Sequence, residues 1–98
     1  MINAERITKE ISNKEAVLID VRSKLEYKMG HAENAINVPV QNIHKADIPS
    51  KDTPIYVYCA SGGRSGMAAS MLQAKGYANV TNIGGIGNWR AMGGTIAR

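Results

Sequence analysis

Apolar residues in this chain fall in two patterns, short unbroken runs and wider-spaced stripes. The runs Ala16-Val17-Leu18-Ile19 and Ile55-Tyr56-Val57-Tyr58 predict strands buried on both faces. Ala35-Ile36-Asn37-Val38 and Asn79-Val80-Thr81-Asn82-Ile83 predict weaker strands. Between them the spacing turns helical. Ile2, Ile7 and Ile11 fall near one face of an opening helix, which Thr8 and Ser12 weaken slightly. Lys24 to Met29 reads as a short helix with Ser23 as N-cap. Met67, Ala68, Met71, Leu72 and Lys75 form the clearest helical stripe, and Gly76 is placed to end it. Pro39, Pro49 and Pro54 lie between elements, where a missing backbone donor does no harm. Gly84-Gly85-Ile86-Gly87 and Gly93-Gly94 read as loops and a last turn. Strands alternating with helices predict an α/β domain with a mainly parallel sheet. No linker or repeat divides the chain, so residues 1–98 are expected to form one domain.

Composition narrows this picture. With no Phe and one Trp, the core must rest on Ile, Val, Leu, Met and Ala. The net charge of +4 suits a small anionic substrate. The basic residues are scattered and form no run of five, which argues against nucleic-acid binding and for a solvated surface. No segment has the length and apolarity of a membrane span, so no membrane partner is expected. Met1 to Lys14 is polar and lacks the apolar stretch of a secretory signal. The expected compartment is the cytoplasm, or the periplasm had a signal been removed. No His, Cys or acidic pair shows metal-ligand spacing, so no metal or other cofactor is called for.

The chain has one cysteine, Cys59, which rules out a disulfide scaffold. A lone cysteine is most often a small buried hydrophobe. The residues around it change that reading. In Tyr58-Cys59-Ala60-Ser61-Gly62-Gly63-Arg64-Ser65-Gly66 a strand ends, small residues follow, and a helix begins near Ser65. Ligands of open parallel sheets bind beyond the carboxyl ends of the strands, which would expose Cys59 to substrate. Gly62 and Gly63 can take backbone angles that turn successive N–H groups inward as an anion-binding nest. The helix start adds its own unpaired N–H groups, and Arg64 adds charge. A thiol in such a setting ionises more easily than a free one.

These residues resemble the active-site loop of rhodanese-like domains, which often reads Cys-x-x-Gly-x-Arg-Ser/Thr. Leu18-Ile19-Asp20-Val21-Arg22, Glu26-Tyr27, Gly30-His31 and Ala35-Ile36-Asn37-Val38-Pro39 are similar to the family's first block. Gly76-Tyr77-Ala78-Asn79-Val80, Gly84-Gly85 and Trp89 resemble its closing block. The resemblance implies a parallel five-stranded sheet flanked by helices on both faces. It implies that Cys59 holds a persulfide. The backbone of Ala60, Ser61, Gly62, Gly63 and Arg64 would cradle the transferred sulfur or the sulfonate of thiosulfate. Arg64 would close the loop and pair with the anion, or serve only as an ion pair. Ser65, Asp20 and Arg22 would support the site's edge, with Glu26 as the expected partner of Arg22. His31 is expected to be structural and His44 a surface residue. Ala32 and Asn34 stand where the family usually has Ile and Gly. The loop also lacks a basic residue at Ala60 or Ser61.

The implied activity is that of a thiosulfate sulfurtransferase. A small anionic donor loads Cys59, and an external thiol or cyanide unloads it, since no second cysteine is present. A non-enzymatic sulfur carrier docking on a sulfur-pathway protein is the alternative. Cysteine phosphatases and arsenate reductases also set a thiolate and an Arg before a helix. Their Cys-x5-Arg spacing exceeds the Cys-x4-Arg found here. The tighter loop suits a sulfur atom better than a tetrahedral phosphate.

Overall fold

The computed structural model describes residues 3–98; Ile2, expected on the opening helix, lies outside them. The chain runs α1 (Ala4–Ser12), β1 (Val17–Asp20), α2 (Lys24–Met29), β2 (His31–Ala32) and β3 (Ile36–Asn37). A 3-10 segment (Val40–Lys45), β4 (Ile55–Cys59), α3 (Gly63–Ala74), β5 (Val80–Gly85), α4 (Ile86–Ala91) and β6 (Ile96–Ala97) follow. The main sheet has the order β3-β1-β4-β5, with every neighbouring pair parallel. The resemblance implied five strands, and four form this sheet. Only four segments carry the apolar runs to enter it. β2 and β6 pair with each other instead, as a separate antiparallel ribbon.

Side chains alternate across the sheet, and each set meets its own helices. Leu18, Tyr56 and Tyr58 pack on one face with Ala4, Ile7 and Trp89. Ile19, Val21, Ile55, Val57 and Cys59 pack on the other with Ile43, Ala68, Ala69 and Leu72. All five residues of β4 are buried, as a central parallel strand requires. Both faces are therefore covered, α1 and α4 on one and the 3-10 segment and α3 on the other.

Helix α3 departs from the expected stripe. Its buried residues are Ser65, Ala68, Ala69 and Leu72, while Met67 and Met71 are 58% and 37% exposed. Small residues let the helix lie close to the sheet, and this rotation sets Ser65 against Cys59. The helix also starts at Gly63, two residues before the expected Ser65. Its end is as expected: Gly76 takes φ +98°, and Gly76 and Tyr77 donate to the carbonyls of Gln73 and Leu72. The expected glycine loop at residues 84–87 is instead the end of β5 and the start of α4. Asn34 has φ +72°, a left-handed turn that asparagine tolerates better than most residues.

A buried polar network fixes the carboxyl end of β1. Arg22 Nε donates to both Asp20 carboxylate oxygens at 3.0 Å, and Nη2 donates to Oδ2 at 2.7 Å. Arg22 Nη2 also donates to the Gly30 carbonyl at 2.6 Å. Tyr58 Oη donates to Asp20 Oδ2 at 2.7 Å and accepts from the Ala32 N–H at 2.9 Å. One carboxylate thus ties β1, β4 and the ribbon together. Burial, and then the bond to Asp20, push the Tyr58 phenol above its ordinary range. Asp20→Asn leaves the Arg22 guanidinium buried without its counter-charge. The expected loss is about 3 kcal/mol of unfolding free energy in urea titration, and a loss within ~0.5 kcal/mol of zero would contradict it.

Candidate active site

Strand β4 delivers Cys59 to the carboxyl edge of the sheet, and its side chain points toward α3. The expectation of an exposed cysteine needs correction, because Cys59 is 0% exposed. Alternation along β4 aims its side chain into the α3 layer, where Ser61, Gly62 and the first turn of α3 close around it. At Gly62 the backbone takes φ +107°, open to glycine and costly for other residues. That turn brings the Gly62 N–H to 2.9 Å from Cys59 Sγ. Gly63 has no such role; it is the first residue of α3, and a Cβ there would meet open space.

Ser65 lies in the first turn of α3, with its Oγ 3.4 Å from Cys59 Sγ. Its hydroxyl also lies 3.1 Å from the Gly62 carbonyl and 3.3 Å from the Gly84 carbonyl. With a neutral thiol the hydroxyl proton can serve either carbonyl. Once the thiol ionises, the same proton can turn to Sγ. Burial pushes the Cys59 thiol up. Hydrogen bonds from the Ser65 hydroxyl and from the N–H groups of Ser65, Gly62 and Ser61 outweigh it. The thiol therefore ionises below its ordinary value of 9.0. The amino end of α3 acts in the same direction.

Strand β5 braces the loop from the other side. Its register against β4 skips Ile83, so that Tyr58 faces Gly84 and Cys59 faces Gly85. A Cβ on Gly85 would stand 2.6 Å from the Ala60 carbonyl oxygen. Only glycine lets β5 approach the loop this closely. Gly84 and Gly85 are thus part of the site. The sequence shows the glycine pair but not which backbone it must admit.

Arg64 does not stand free above the loop. Its Nη1 donates to Glu26 Oε1 at 2.7 Å and its Nη2 to Oε2 at 3.0 Å. Glu26 was expected to pair with Arg22. That pairing is not formed, because Arg22 turns inward to the buried Asp20. Glu26 also completes a capping box on α2: its Oε1 accepts from the Ser23 N–H, and Ser23 Oγ accepts from the Glu26 N–H. Arg64, and then the Ser23 backbone N–H, hold the Glu26 carboxyl down at about 2. The Ser23-x-x-Glu26 spacing was a readable signal for the cap. Nothing in the spacing signals a contact with Arg64 across the fold.

Ala60 and Ser61 are exposed at the loop's crest and carry no charge. Asp20 and Arg22 lie beneath the rim in the buried network. His31 is structural: its Nδ1 is 2.8 Å from the Tyr27 carbonyl and its ring stacks on Tyr27. His44 is exposed. Among the described residues, no cluster of His, Cys, Asp and Glu could hold a metal ion. No helix there is long and apolar enough to cross a membrane.

A buried thiol at a strand end, with backbone donors turned to it and followed by an arginine and a helix, gives the chain a cysteine loop on an α/β sheet. Residues 3–92 match the model of the rhodanese-like domain, and the chain belongs to that family. It is 37% identical over 71 residues to the thiosulfate sulfurtransferase PspE of Escherichia coli, covering 69% of this chain and 68% of that protein. It is 36% identical over 91 residues to a tRNA uridine(34) hydroxylase of Buchnera aphidicola, covering 86% of this chain. This chain spans only 29% of the length of that hydroxylase. A solved E. coli rhodanese with anions superposes with a TM-score of 0.76 at 30% identity, covering 85% of this chain and 98% of that one.

Iodoacetamide alkylation of Cys59, followed against pH, is expected to titrate below 9.0. Ser65→Ala removes one donor to the thiolate, so the pKa should rise. Alkylation at neutral pH should slow, because less thiolate is present. A wild-type thiol titrating at or above its ordinary value would contradict this geometry.

Proposed function

We propose that this chain is a sulfurtransferase. It moves sulfane sulfur from thiosulfate or a related donor to a thiophilic acceptor through a persulfide on Cys59. The observation that carries the reading is the Cys59 sulfur meeting the Gly62 N–H inside a loop of five steps from Cys59 to Arg64. The loop's N–H groups and the Ser65 hydroxyl hold anionic sulfur. Similarity to a named thiosulfate sulfurtransferase supports the same chemistry.

In the first half-reaction the Cys59 thiolate attacks the outer sulfur of thiosulfate. The new S–S bond forms as the bond to the sulfonate sulfur breaks, and sulfite leaves with the bonding pair. In the second, an acceptor such as cyanide attacks the terminal sulfur, and the thiolate returns with thiocyanate as product. Both halves pass negative charge between sulfur atoms, and the loop donors stabilise it. Ser61, Gly62 and Ser65 supply those donors to Cys59. The chain's 98 residues hold no second cysteine, so the acceptor comes from outside them.

A second reading, a sulfur-carrying module that serves a partner domain, draws on one observation. This chain spans only 29% of the hydroxylase it resembles and 19% of a fungal adenylyltransferase and sulfurtransferase. The two readings share the persulfide and differ in turnover.

Mass spectrometry after incubation with thiosulfate is expected to show about 32 Da gained on Cys59, lost again on adding cyanide and absent in Cys59→Ala. Catalytic thiocyanate formation supports the enzyme, while loading with negligible turnover supports the carrier. An unmodified wild-type protein would sink the thiosulfate assignment. Turnover of an aryl phosphate that Cys59→Ser abolishes would favour the phosphatase class instead.

A further inference from the structure

Away from the cysteine loop, the carboxyl edge of the sheet carries a second hollow. An open cavity of about 560 Å³ is lined by Lys24, Tyr27 and Lys28 of α2 and by Asn37, Pro39 and Asn42 at and after the end of β3. That volume falls in the range of small-molecule sites. Asn37 is the last residue of β3, so the hollow sits beyond the carboxyl end of an outer strand. Open parallel sheets take ligands at that edge. None of residues 59–65 lines the cavity. It is a place apart from Cys59, and its use does not depend on the sulfurtransferase reading.

Bonds made elsewhere decide what each lining group can offer. Tyr27 Oη donates to the Ala35 carbonyl at 2.6 Å, and the Tyr27 ring stacks on His31 with centroids 3.7 Å apart. The hydroxyl is thus spent, and Tyr27 brings the hollow apolar ring surface held from two sides. Pro39 adds a second apolar ring. Asn37 Nδ2 donates to the Asp20 and Arg22 carbonyls, both at 3.0 Å. Two carbonyls require the nitrogen there, so the amide can face only one way. Its oxygen is left as an acceptor. Among the described residues no buried side-chain oxygen lacks a partner, so this one opens to solvent. Lys24 and Lys28 stand one helical turn apart, exposed, and neither joins an ion pair among the described residues. No acidic residue lines the cavity.

We propose that this hollow is a second binding site, which takes a nucleoside monophosphate. Two ammonium groups without a carboxylate call for an anion, and a phosphate has oxygens enough to meet both lysines. The rings of Tyr27 and Pro39 give a flat base an apolar surface to lie against. The Asn37 amide oxygen accepts from a base N–H, such as the amino group of adenine. A bare phosphate would leave the rings and that oxygen unused. An uncharged nucleoside would leave the lysines unused. Charge, ring surface and acceptor together select a ligand that carries all three complements.

Titration of the isotope-labelled protein with adenosine monophosphate, followed by amide NMR shifts, tests this. Saturable shifts are expected at residues 24–28 and 37–42. Adenosine and inorganic phosphate, titrated in parallel, should each bind about tenfold more weakly, because each lacks either the charge or the stacking ring. Lys24→Gln combined with Lys28→Gln keeps two exposed side chains and removes both charges. Its affinity for adenosine monophosphate should fall about fivefold at low salt, the scale of two solvent-exposed charge pairs. Four results would overturn the inference: no shifts with adenosine monophosphate, shifts confined to residues 59–65, inorganic phosphate binding as tightly as the nucleotide, or undiminished affinity in the double variant. Each would leave the sulfurtransferase reading intact, since that reading is tested by persulfide loading on Cys59.

Discussion

A sulfur atom buried at the end of a strand can carry negative charge only if donors turn inward to meet it. The Gly62 N–H, 2.9 Å from Cys59 Sγ, is the contact on which this site depends. Burial alone would keep the thiol protonated and inert. The left-handed turn at Gly62, the start of α3 and the Ser65 hydroxyl reverse that outcome. Each is a backbone consequence of small residues in sequence. Strand β5 then approaches the loop closely because Gly85 has no side chain to strike Ala60. The chemistry thus arises less from reactive side chains than from side chains left out.

Two ion pairs at the carboxyl edge of the sheet divide the remaining work. The Asp20–Arg22 pair is buried and shares its carboxylate with Tyr58, so it joins β1 to β4 and to the ribbon. Its loss would leave an unpaired charge inside, which gives it structural leverage. The Glu26–Arg64 pair lies nearer the solvent and adds little stability of its own. It ties the loop's arginine to the residue that caps α2. Neighbouring arginines in one rim thereby serve different ends, and burial decides which.

Much of this was legible in the residues. The two apolar runs marked the central strands, and Gly76 marked the end of α3. The family resemblance located the loop and its cysteine. What stayed hidden involves relations between distant segments. Arg22 and Arg64 compete for Glu26, and only the fold shows that Asp20 claims the first. The stripe on α3 holds at Ala68 and Leu72 and fails at Met67 and Met71, because a helix packed tightly on a sheet buries serine and alanine where methionines look like core. A fifth strand was implied by resemblance, yet the chain spends those residues on a two-residue ribbon. The exposure of Cys59 was inferred from its place at a strand end. Its direction depends on the alternation along β4 and on the loop that closes over it.

The most direct test of the central claim is a crystal structure of the protein after exposure to thiosulfate. The account predicts one added sulfur on Cys59, its terminal atom inside the loop and within hydrogen-bond reach of the backbone N–H groups between Ser61 and Ser65. A terminal sulfur turned out toward solvent, with those N–H groups unengaged, would contradict it.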